Sequence, residues 1–124
     1  MSTLRKDLTW DAGIGGVMTA GNMAGNRTSN PIQPSCRSFS IQLAWTDVDN
    51  PIGTLSFEMS NNGGLNWDEI PSTLYSPAIT QPNATASSAS VLFQDFPVSL
   101  VRAKYTRTSG GTGDSLTGVL QAVE

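Results

Sequence analysis

The chain contains no histidine and a single cysteine, Cys36. The first absence excludes Ser-His-Asp and Cys-His catalysis and every histidine metal site, and the second excludes Cys-cluster zinc and any internal disulfide. Charge is also scarce: Asp, Glu, Lys and Arg together make 14% of the chain, with a net charge of −3, well under the usual ~25%. With acid in slight excess there is no electrostatic footprint for nucleic acid or an anionic membrane. No run approaches the ~18 apolar residues of a membrane span. Met1 to Trp10, with Arg5, Lys6 and Asp7, reads as neither a signal peptide nor an anchor. At 124 residues there is room for one domain and no second.

What fills the chain instead is Ser, Thr, Asn, Gln and Gly, a composition of extended, β-rich proteins. Residues 11 to 34 are rich in Gly, Ala and Asn and sustain neither the helical nor the strand period. Such a stretch loses much backbone entropy on ordering and has little apolar surface to bury. Composition leaves residues 1–30 as either a loose tail or an extended N-terminal arm, and the arm is the expectation carried forward, with Trp10, Met18 and Met23 as apolar anchors for a neighbouring subunit.

From residue 31 the expectation is one β-sandwich domain running to 124. Phe39, Ile41, Leu43 and Trp45 alternate with polar or small residues, as do Leu55, Phe57 and Met59, and as do Val101, Ala103 and Tyr105. This strict period of two marks half-buried strands. Asp47 to Pro51, Asn61 to Gly64 and Ser109 to Asp114 supply turn chemistry between strands. Trp67 to Ile70 reads as a short returning strand, 76–90 as a long surface connection, Val91 and Phe93 as a strand opening, and Leu116 to Ala122 as the last strand. Short strands at roughly ten-residue spacing predict an all-β fold, an antiparallel β-sandwich of jelly-roll or Greek-key type. Its core is expected to hold Phe39, Ile41, Leu43, Trp45, Leu55, Phe57, Val91, Phe93, Val101, Ala103 and Tyr105.

The most specific local motif is Ser60-Asn61-Asn62-Gly63-Gly64-Leu65-Asn66-Trp67. It resembles the Asp-box hairpin, with Asn62 for Asp and Asn66 for Thr. The chemistry is structural: Ser60 and Asn62 side chains bond turn amides, Gly64 supplies a left-handed residue and Trp67 packs under the loop. The box recurs from blade to blade in sialidase-like propellers, and this chain is too short for one. Close carboxylate pairs, Asp47 with Asp49 and Asp68 with Glu69, do not make a glycosidase centre: the first sits in a turn, and adjacent residues of a strand face opposite ways. A calcium site at Asp47, Asp49 and Asn50 lacks the glycine and distal Glu of an EF-hand loop. No catalytic residue, cofactor or metal is expected. Trp10 and Tyr75 are the aromatics that the pattern leaves off the core, and so the candidates for a sugar platform. Arg102, Lys104 and Arg107 read as a solvated sheet face. Asn26-Arg27-Thr28 and Asn83-Ala84-Thr85 match glycosylation sequons at the rate chance provides.

Phe39 to Thr46 (FSIQLAWT), Pro51 to Ile70 (PIGTLSFEMSNNGGLNWDEI) and Val101 to Ser109 (VRAKYTRTS) ahead of a Gly-rich turn resemble small β-sandwich virion structural proteins of bacteriophages. The likeness runs from Ser29 onward with a gap at 72–90. It implies a non-enzymatic decoration, minor capsid or spike-base component, a homo-oligomer located in the virion, whose partners are the major capsid protein, other virion proteins or copies of itself. The alternative class is a carbohydrate-binding module or host-surface receptor on the same sandwich, which an exposed row of aromatics would favour.

Overall fold

The computed structural model describes residues 3–11, 17–18, 21–34, 36–75 and 88–123. Two antiparallel sheets pack against each other around one hydrophobic core, and the chain is almost entirely strand, turn and loop. The first sheet runs β1 (Thr3–Asp7), β11 (Ser115–Val123), β6 (Phe39–Trp45), β9 (Ser88–Phe93), with β4 (Gly21–Asn22) also pairing β11. The second runs β5 (Arg27–Thr28), β10 (Leu100–Ser109), β7 (Ile52–Ser60), β8 (Asp68–Glu69). A separate ribbon joins β2 (Trp10–Asp11) to β3 (Val17–Met18).

The alternation that marks the strands also fills the core. All eleven residues expected inside are buried, Trp45 the most exposed of them at 5%. Phe39 stacks on Phe93 with centroids 4.8 Å apart, and Phe57 meets Phe93 and Tyr75 edge-on at 5.3 and 5.4 Å. Such aromatic pairs add stabilisation beyond the area they bury. Two readings change here. Tyr75 is buried within this cluster, because Pro71 and a single 3₁₀ turn at Ser72–Leu74 fold the chain back over Phe57. Residues 88–90, read as connection, begin β9 opposite Gln42 to Ala44; Ser and Ala there leave no apolar alternation to read. The remainder of that connection, 76–87, lies outside the described residues.

The largest correction concerns residues 1–30, whose described residues join the sandwich and do not form an arm apart from it. β1 pairs with β11 over Thr3↔Val123 to Asp7↔Val119, and β4 continues along the same side of β11 at Leu116↔Gly21. β5 pairs with β10, Trp10 bridges to Ser29, and Ile32 bridges to Val101. The N-terminal segment therefore lines one side of both sheets and closes the sandwich there. Leu8, Trp10 and Met23 are fully buried in the chain's own core, so Trp10 and Met23 have no surface left to offer a neighbour. Met18 enters through its backbone, opposite Trp10; its side chain lies outside the described residues. Leu8 and Trp10 are seated against glycines, Gly118 of β11 and Gly21 of β4. A Cβ on Gly118 would lie 3.0 Å from Leu8 Cδ2, and one on Gly21 3.0 Å from Trp10 Cβ, tight enough that the neighbour would have to shift by a few tenths of an ångström.

Candidate functional site

The Ser60–Trp67 hairpin is held by its own polar side chains. Ser60, itself buried, accepts at Oγ from the amide of Gly64 at 2.9 Å and donates its hydroxyl proton to Asn62 Oδ1 at 2.9 Å. Asn62 Oδ1 also accepts from the Asn66 amide at 3.1 Å. Gly63 and Gly64 have φ of +73° and +88°, the left-handed region in which a Cβ is strained. Asn61 Oδ1 accepts from the Ser99 amide at 2.9 Å, tying the hairpin to the approach to β10. Trp67 is half-buried, and the Arg102 guanidinium lies 4.0 Å above its ring centroid. Arg102 in turn binds Glu58 Oε1 through Nε and Nη2 at 2.8 and 2.7 Å, with Lys104 Nζ 3.6 Å from Oε2. At the tip, Leu65 is 83% exposed. The result is a turn fixed in several places that carries a bare aliphatic side chain.

The opposite end of the sandwich is organised by Asp114, which in the sequence shows only as part of a Gly-rich turn. Its carboxylate accepts from the Thr46 hydroxyl at 2.8 Å and from the amides of Val48 and Asp49 at 2.6 and 2.9 Å. Burial raises its pKa, but these bonds outweigh that and hold the carboxyl below its ordinary 3.8. Asp49 closes the loop, accepting from the Thr112 amide at 3.0 Å. Asp49 and Asp114 thus spend their oxygens on backbone and hydroxyl donors, which is turn chemistry. Among the described residues no group of three or more His, Cys, Asp or Glu could hold a metal ion.

Two of the open clefts bear on this question. One of about 400 Å³ lies where the loops before β6 and β10 meet the end of β7, lined by Gln33, Cys36, Arg37, Asn61 and residues 97–99; its arginine is ion-paired to Asp95 at 2.8 Å, and Cys36 is a free, partly buried thiol packed against the core. The other, about 360 Å³, runs between β2 and β10 past Asp11, Asn30, Arg102 and Lys104. Neither aligns a nucleophile with a base. Every aromatic side chain of the protein falls among the described residues, and none is exposed: seven are buried, and Trp67 and Phe96 are half-buried. Trp10 and Tyr75, the expected platform candidates, are thereby withdrawn from any sugar site. No family model matches the chain, and no curated protein or solved structure does either.

Proposed function

We propose that this chain is a non-enzymatic virion structural protein, a decoration, minor capsid or spike-base component that binds capsid subunits or neighbouring copies of itself. The phage resemblance of its strand and turn motifs supplies the class. The observation that carries a protein-binding role is Leu65, 83% exposed at the tip of a hairpin immobilised by Ser60, Asn62 and two left-handed glycines. A large aliphatic side chain on a pre-ordered loop loses little entropy on docking and gains only from an apolar partner surface. The burial of the aromatics weighs against the carbohydrate-binding alternative, since sugar platforms need free ring faces.

The test is mass spectrometry of purified particles from the phage encoding the chain, with wild type and Leu65→Asp in parallel. The expected outcome is stoichiometric wild-type protein in the particle, with reduced occupancy of a variant whose thermal unfolding is unchanged. Absence of the wild-type chain from particles overturns the reading.

A further inference from the structure

The strands that end the two sheets, the two-residue β4 (Gly21–Asn22) aside, differ in one respect. β1 carries Arg5, Lys6 and Asp7, β5 carries Arg27, and β8 consists of Asp68 and Glu69. Charges at an edge discourage another strand from pairing there. Lys6 is the strongest guard: Leu8 is buried, so Lys6, two residues before it, lies on the core-facing side of the strand and reaches out to the Gln33 carbonyl at 2.9 Å. β9 has no such protection. From Ser88 to Gln94 it contains neither charge nor proline, and among the described residues it pairs with β6 alone.

The register shows which backbone groups of β9 face outward. Thr46 donates its amide to the Ser115 carbonyl, one step beyond Trp45↔Leu116 in the β6–β11 ladder. Alternation then directs Ala44, Gln42 and Ser40 to β11, and Leu43, Ile41 and Phe39 to β9. Their partners Ala89, Val91 and Phe93 turn inward, so the amides and carbonyls of Ser88, Ser90 and Leu92 point away from the sheet. Their side chains are exposed, Leu92 at 47%. Beside it stands Leu74, 53% exposed, across a shallow cleft of about 290 Å³ shared with Thr73, Tyr75 and Gln94.

We propose that β9 is the site of self-association, pairing antiparallel with β9 of a second copy so that the first sheets of two molecules become one continuous sheet. The occupant follows from chemistry. An antiparallel strand is complementary to itself about a two-fold axis, because residues that present both an N–H and a C=O meet residues that do the same. Between two molecules each of net charge −3, the uncharged edge is also where contact brings no like charges together. The same contact lets the exposed leucines beside the edge cover one another. The inference deepens the structural-protein reading by naming the surface through which copies meet, and for the biological use of that contact it rests on that reading.

The experiment is sedimentation equilibrium of the full chain up to about 1 mM, where a contact with a Kd near that value is still visible. Ser90→Pro removes an outward amide and no intramolecular ladder bond, a position at which an edge strand accepts proline. Leu92→Lys places a charge on the same edge without touching the core. Wild type should dimerise, and both variants should weaken the dimer by at least about tenfold. Arg5→Pro, at an outward amide of the opposite edge, should leave association unchanged. Should Ser90→Pro lose its cooperative unfolding transition, Leu92→Lys alone decides. A monomeric wild type, variants that dimerise as wild type does, or loss of the dimer in Arg5→Pro overturns the inference. Particle incorporation of a variant that no longer dimerises would leave the virion reading standing while this one falls.

Discussion

Asp114 shows how much one buried carboxylate can organise. It is 3% exposed, yet its three donors, the Thr46 hydroxyl and the Val48 and Asp49 amides, bind the turn after β6 to the start of β11. Bonds to a charged acceptor are the stronger kind, and removing the acceptor takes the partner from two part-buried amides and a hydroxyl at once. Asp114→Ala should therefore cost on the order of 3 kcal/mol in urea denaturation at neutral pH. The sign of its pH dependence is fixed by the lowered pKa. The folded state favours the charged form, so the contribution is complete above the ordinary value of 3.8 and is lost as pH falls through the lower folded value. Wild-type stability should drop in that acid range, and Asp114→Asn, with nothing to titrate there, should follow a flatter profile. Equal slopes for the two proteins would remove Asp114 from the acid transition.

At the level of elements, the legible strands are those with one wet face and one dry one. β6 alternates over its whole length and β10 from Leu100 to Tyr105, since each side chain in turn meets the core or the wetter face. The Ser60–Trp67 hairpin was legible for another reason: Asx and Ser side chains beside paired glycines specify a turn locally, without help from the rest of the fold. Two-residue strands such as β2, β4 and β5 are too short to display a period, and no reading of their own sequence could find them. The hairpin geometry carries its own prediction. Gly64 at φ +88° cannot accept a β-branched residue without strain, so Gly64→Val should destabilise by roughly 1–3 kcal/mol. Ser60→Ala removes the acceptor of the Gly64 amide and the donor to Asn62 and should cost about 1–2 kcal/mol. Both are read as shifts in the midpoint of chemical unfolding. Because both residues act on the same turn, the double variant should lose less than the sum of the two.

The whole molecule turns on residues whose importance is set by partners distant in sequence. Leu8 and Trp10 are seated on Gly118 and Gly21, and Met23 donates its amide to the Asp114 carbonyl at 2.9 Å; no local pattern announces any of these pairings. A segment rich in Gly, Ala and Asn has little apolar surface of its own, and what it lacks the two sheets supply. The described residues of 1–30 are thus part of the folding unit, which makes deletion of residues 2–28 a sharp test. The deletion removes β1 to β5, together with three fully buried side chains, Leu8, Trp10 and Met23. Truncating one large buried side chain costs about 2–5 kcal/mol, against a total stability of about 5–15 kcal/mol for an ordinary domain. Losing three, and exposing the side of the core they covered, should exhaust that margin. The shortened chain should show no cooperative thermal transition and little dispersion of its amide proton resonances, whereas Trp10→Ala alone should remain folded with a midpoint lowered in proportion to about 3–5 kcal/mol. A truncated protein that unfolds cooperatively near the wild-type midpoint would mean that the sheets hold together without their N-terminal side, and would restore that segment to the role of a separable arm.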